Sequence, residues 1–145
     1  CYAAGPAKII GAMKKIQSQS TSNPASISQA AAQAALDGPQ DCVGDMVKAF
    51  KERHDWLVAA LNKLPGVECL NGDGTFYVFP SFQGAINADS SVSTDVEFAE
   101  KLLTEAGVAL VPGSAFGSPG HMRLSFATSM ENLEKAIERL QKALG

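Results

Sequence analysis

Cysteine is scarce in this sequence, and runs of like charge are absent. The three cysteines, Cys1, Cys42 and Cys69, are odd in number and form no Cys-x-x-Cys pair. That excludes a disulfide framework and lends no support to a zinc or other metal site, so they read as small thiols in a reducing, cytoplasmic setting. Twelve basic and fifteen acidic residues leave a net charge of −3, with no basic run. Neither nucleic acid nor an anionic membrane is therefore an expected partner. The longest uncharged stretch, Ile16 to Leu36, is rich in Ser, Gln, Thr and Asn and contains Pro24, a composition too costly for a membrane span. No basic segment followed by an apolar one marks a secretory leader at the start. What the chain has is material for a core: hydrophobic residues make up 46% of its 145 positions. That excludes disorder and is enough for one domain, or one domain and a piece. The opening Cys1-Tyr2-Ala3-Ala4 reads as the end of a strand rather than a protein terminus, so the chain is expected to be a fragment.

Punctuation and periodicity divide the chain. Pro6 opens a helix carrying Ile9, Ile10, Met13 and Ile16, which fades into Ser18–Pro24. Ser26 or Ser28 caps an Ala-rich helix to about Leu36, and Asp37-Gly38-Pro39 stops it. From Asp41 to Leu64, the residues Val43, Met46, Val47, Phe50, His54, Leu57, Val58 and Leu61 recur at helical spacing. This helix is long enough to bridge two bodies. Val67–Leu70 and Thr75–Phe79 read as strands of a hairpin around Asn71-Gly72-Asp73-Gly74, and Ser81–Ser93 as a surface loop. Thr94-Asp95-Val96-Glu97 is a capping box opening a helix that ends at Gly107. A strand at Val108–Val111, a Gly/Ser/Pro loop at Pro112–Gly120 and a strand at Met122–Phe126 follow. The last helix is capped at Thr128-Ser129 and has Leu133, Ala136, Ile137, Leu140 and Leu144 on its core face. The order implies an α+β fold, a small mixed or antiparallel sheet with helices packed on it.

Among polar residues Arg123 stands out. Met122, Leu124 and Phe126 alternate onto one face of their strand, leaving Arg123 and Ser125 on the other, just after the glycine-rich loop. A guanidinium there is suited to grip a carboxylate through two parallel hydrogen bonds, although the pattern alone favours a solvated or ion-paired strand arginine. The loop matches neither phosphate-binding glycine pattern and reads as a pocket wall or a plain connection. His54 on an apolar helix face is structural, and His121 could support Arg123. The carboxylate pairs Asp41/Asp45 and Glu97/Glu100 sit at helix starts, where the helix dipole favours them. No nucleophile–histidine set is evident. The residues by themselves describe an α+β domain with one arginine placed to hold an anion.

Four segments carry a further signal: Ser18–Gln29, Gly74-Thr75-Phe76-Tyr77-Val78-Phe79-Pro80, Gly107–Gly117 with its Pro-Gly-Ser-Ala-Phe-Gly, and Met122-Arg123-Leu124-Ser125-Phe126-Ala127. Together and in this order they resemble the fold type I, class I/II aminotransferases that depend on pyridoxal 5'-phosphate, in the aspartate and aromatic group. The resemblance spans essentially the whole chain. It implies that Arg123 binds the α-carboxylate of an amino acid that exchanges its amino group with a 2-oxo acid, and that the parent enzyme is a homodimer with interface active sites. It also implies that residues 1–44 are the tail of the large cofactor-binding domain and the start of an interdomain helix, and that residues 45–145 are the small C-terminal domain.

The departures matter for mechanism. By the resemblance, the family's Schiff-base lysine, its phosphate-binding arginine and the aspartate that pairs the pyridinium nitrogen would all fall upstream of Cys1. Lys8, Lys14 and Lys15 match no such position. No catalytic residue is therefore expected in this chain, no covalently held cofactor, and no activity of the chain alone. Where one subgroup has an arginine for the side-chain carboxylate of dicarboxylic substrates, this sequence has Ser18. The rival reading is a non-catalytic α+β module that holds a carboxylate through Arg123.

Overall fold

A computed structural model describes residues 2–145; Cys1 lies outside the described residues. The chain divides into two compact units, 1–42 and 43–145. The first holds α1 (Ala7–Ser20) and α2 (Ser26–Asp37), with no residue of either helix buried. The serine cap expected for α2 is not made. Ala25 is the capping residue, and no side chain satisfies the free amides. Ser26 already lies inside the helix, one position too late for its hydroxyl to reach back to them.

Helix α3 (Asp41–Leu61) begins in the first unit and runs into the second. Its apolar stripe divides in two. His54, Leu57, Val58 and Leu61 are buried, whereas Val43, Met46 and Val47 are 49%, 57% and 61% exposed. The periodicity therefore forms one continuous helix, of which only the C-terminal half meets the core of the second unit.

That core is built on a three-stranded antiparallel sheet, β1 (Tyr77–Val78), β2 (Val111–Pro112) and β3 (Met122–Ser125), in the order β1-β3-β2. Tyr77 pairs with Ser125, and Val111 with Arg123. The alternation in β3 is as expected: Met122, Leu124 and the following Phe126 are buried, and Arg123 and Ser125 face the other way. Leu57, Leu61, Phe82, Phe98, Leu133 and Leu140 close over the buried face. Each contributes roughly 1.5–3 kcal/mol of hydrophobic burial.

The expected hairpin is not formed. Val67–Leu70 makes a single bridge, Glu68 to Ser81, instead of a strand. The cause is Asn62, whose side-chain amide pairs with both the N–H and the carbonyl of Cys69, at 2.8 and 2.9 Å. It thus takes the place of a strand neighbour. The helical run ends at Leu61, short of the expected Leu64. Ser81–Ser93 is likewise not a loop throughout. It contains α4 (Gln83–Ala88), preceded by buried Phe82 and burying Ala85 and Ile86. Three apolar residues in one short turn gave too weak a period to stand out in the sequence.

The capping box at Thr94 is fully formed and opens α5 (Asp95–Lys101), which continues through a π-helical turn (Leu102–Ala106) to Gly107. The amides of Ser93 and Thr94 hold the Glu97 carboxyl below its usual range. The strand expected at Val108–Val111 shifts to Val111–Pro112. Helix α6 (Met130–Leu144) is capped by Ser129, whose hydroxyl accepts from the Asn132 amide.

Candidate carboxylate-binding site

Arg123 occupies the middle strand of the sheet, paired with Val111 of β2, while the next residue, Leu124, pairs with Val78 of β1. Its guanidinium carbon lies 4.8 Å from the ring centroid of Phe116 and 5.5 Å from that of Tyr77. Stacking on aromatic rings restrains the planar group while leaving its N–H edge to bind. Among the described residues no carboxylate pairs with Arg123, although Lys51, Lys101, Lys135 and Lys142 all have one. A permanently charged, half-buried, stacked and unpaired guanidinium is equipped to receive an outside anion with two parallel hydrogen bonds.

The glycine-rich loop forms one wall of this arrangement. After Pro112 it folds into a 3-10 turn, Gly113–Phe116, that presents Phe116 to Arg123. Gly113 is required by close approach, because a Cβ there would lie 2.2 Å from the Ser118 carbonyl oxygen and 2.8 Å from His121. The amides of Gly113, Ser114, Gly117 and Ser118 donate to His121, Asp95, Ser114 and Gly113 respectively. These amides are spent inside the protein, so they are not available to cradle a phosphate.

His121 does not support Arg123 through a hydrogen bond. Its Nδ1 lies 3.2 Å from Ser118 Oγ and 3.3 Å from the Pro119 carbonyl oxygen, and its ring stacks on Phe79 at 5.2 Å. Phe79 in turn meets Phe116 edge to face. The histidine therefore braces the loop and its aromatic neighbours. His54 is structural, as expected. Its Nε2 accepts from the Gly72 amide, its Nδ1 faces Asp55, and its ring meets Phe126.

Asp95 escaped sequence reasoning. It is only 4% exposed and accepts a 2.7 Å hydrogen bond from the Ser114 amide. In the sequence it is an ordinary acidic residue in a first helical turn, and no local signal tells it from Glu97.

The described residues do not fit pyridoxal phosphate. Lys8, Lys14 and Lys15 are exposed on α1, and Lys48 and Lys63 are exposed in the second unit. The remaining lysines pair with carboxylates. Among the described residues no group of three His, Cys, Asp or Glu side chains is placed for a metal. No helix among them is long and apolar enough to cross a membrane.

Comparison with known proteins gives a consistent result. The model of the family "Aminotransferase class I and II" matches residues 1–140. The chain is 51% identical to an aspartate/prephenate aminotransferase of Nitrosomonas europaea, over 99% of this chain and 37% of that protein. It is 49% identical to an aspartate aminotransferase of Geobacillus stearothermophilus, over 97% of this chain and 36% of that protein. The crystal structure of an aspartate aminotransferase from Rhizobium meliloti superimposes with a TM-score of 0.86 at 42% identity, covering 98% of this chain and 36% of that one. An aromatic aminotransferase from Pyrococcus horikoshii gives 0.83 at 36% identity, covering 97% and 37%. The chain thus spans little more than a third of the length of these relatives.

Proposed function

Because this chain belongs to the class I and II aminotransferases, we propose that it is the C-terminal portion of an enzyme moving an amino group between an amino acid and a 2-oxo acid, with Arg123 holding the substrate α-carboxylate. The observation that carries this reading is the unpaired guanidinium of Arg123, held over the Phe116 and Tyr77 rings on the middle strand. Residues 1–44 belong to the tail of the large domain, and 45–145 are the small domain. The parent works as a homodimer. The substrate is of the aspartate or aromatic type, in keeping with relatives named for aspartate and prephenate. Ser18 offers no cation for a second carboxylate, since its hydroxyl donates to the Lys15 carbonyl.

The role of Arg123 is to bind and orient. The sheet fixes its Cα, the two rings restrict where its guanidinium lies, and two hydrogen bonds then fix the carboxylate plane and with it the substrate Cα. Pyridoxal phosphate, when bound, supplies the electron sink for the carbon chemistry. Because the residues of this chain do not fit it, that step belongs to the preceding part of the parent.

The test is Arg123→Ala in the full-length enzyme that contains this chain. Truncating one partner of a close charge pair costs about 2–5 kcal/mol, so kcat/KM should fall by at least about thirtyfold, with KM for the amino acid raised. An unchanged kcat/KM would refute the assignment.

A further inference from the structure

We infer that Asp95 is a positioning residue for the carboxylate grip: its buried side chain anchors the Gly113–Phe116 turn so that Phe116 lies over the Arg123 guanidinium. This rests on the reading of Arg123 given above and extends it to a residue remote in sequence.

The link is short and continuous. Asp95 lies in the first turn of α5, 4% exposed, and its Oδ2 accepts from the Ser114 amide at 2.7 Å. Ser114 is the second residue of the 3-10 turn, and Phe116, two residues on, reaches Arg123 at 4.8 Å. The turn itself contributes little rigidity here. Ser114, Ala115, Phe116 and Gly117 are all exposed, and a short 3-10 turn has weak hydrogen-bond geometry. Its C-terminal side is braced by the His121–Ser118 contact and by Phe79. On its N-terminal side Gly113 donates to His121 and Ser114 to Asp95.

Burying a polar side chain is costly unless it is hydrogen-bonded, and the partner of Asp95 here is one backbone amide. Among the described residues no basic side chain pairs with Asp95. The capping of α5 does not need it, since Thr94 and Glu97 complete the box between them. What its carboxylate does hold is the wall of the Arg123 site.

The experiment compares Asp95→Ala and Asp95→Asn in the full-length enzyme, each with native Phe116 and with Phe116→Ala. Steady-state kinetics for the amino acid are read together with hydrogen exchange over residues 113–117. Asp95→Ala should lower kcat/KM by about ten- to a hundredfold through misplacement of the grip, mainly as a rise in KM, and should speed exchange at Ser114. Asp95→Asn keeps an acceptor oxygen and should recover most of the loss. In the Phe116→Ala background the Asp95→Ala effect should largely vanish, because the two residues act in series.

Native kcat/KM in Asp95→Ala would overturn the inference, and so would a loss that persists undiminished with Phe116→Ala. If Asp95→Ala does not fold, Ser114→Pro removes the same bond from the exposed turn, where proline is tolerated in the first positions, and the same outcomes apply. Arg123→Ala, measured alongside, separates the two levels. If it leaves kcat/KM unchanged, the carboxylate reading falls and takes this inference with it. If it raises KM while Asp95→Ala does not, only the inference falls.

Discussion

Gly66 and Gly84 meet backbone against backbone. A Cβ on Gly84 would lie 2.7 Å from the Gly66 Cα, and a Cβ on Gly66 would lie 2.3 Å from the Ala85 amide nitrogen. Gly66 sits at φ +71° and its carbonyl accepts from Ala85, which seats α4 against the end of the α3 segment. Only hydrogen atoms fit between the two chain segments.

Gly84→Ala should therefore destabilise the protein by about 1–3 kcal/mol, the usual cost of overpacking where backbone cannot yield. Gly44→Ala is the control. Gly44 is inside α3 with nothing within 4 Å of a new Cβ, so alanine should stabilise the helix by up to about 1 kcal/mol. Urea denaturation of the two variants measures both, and equal effects would contradict the packing described.

Arg123→Lys preserves the charge but removes the planar fork and its stacking on Phe116 and Tyr77. Loss of one of two charge-assisted hydrogen bonds is worth about 1.5–3 kcal/mol. In the full-length enzyme kcat/KM should fall by about 10- to 150-fold. A fully active lysine variant would show that charge alone suffices.

Burial pushes the Cys69 thiol up to about 11. At pH 8 only about one thiol in a thousand is then the reactive thiolate. Cys69 should resist alkylation in the native protein and react only on unfolding. Mass mapping after brief iodoacetamide treatment is the check, and rapid native labelling at Cys69 would argue against its placement.

Asp89 is held down to about 2, chiefly by the Lys101 ammonium that donates to it, and next by Ser91. A carboxyl lowered from 3.8 stabilises the fold fully above that value and loses the contribution as pH falls through about 2. Asp89→Asn should therefore be less stable than wild type near neutral pH, and the gap should close in strong acid. Chemical denaturation at several pH values measures it, and a gap independent of pH would rule out the Lys101 pairing as its source.

Much of this protein was readable along the chain. The alternation Met122, Leu124, Phe126 puts Arg123 on the opposite face, and Thr94 with Glu97 announces a helix start that is present in full. These patterns are local: the period of a strand and the reach of a cap span only a few residues, so sequence spacing carries them. The same holds for the motifs around Gly74, Pro112 and Arg123 that pointed to the aminotransferases.

Other features have no local signature. Asn62 replaces a strand neighbour for Cys69, Asp95 ties α5 to the turn before Phe116, and α3 buries only half of one uniform stripe. Each depends on which distant surface arrives beside the residue. An asparagine amide, a first-turn carboxylate and an apolar helix face look alike in sequence whether or not that surface arrives. Hydrophobic period and backbone propensity thus set the longer helices and the side on which Arg123 stands. Tertiary packing chose the aromatic rings that flank it, the carboxylate that secures one of them, and which apolar residues are sealed from water.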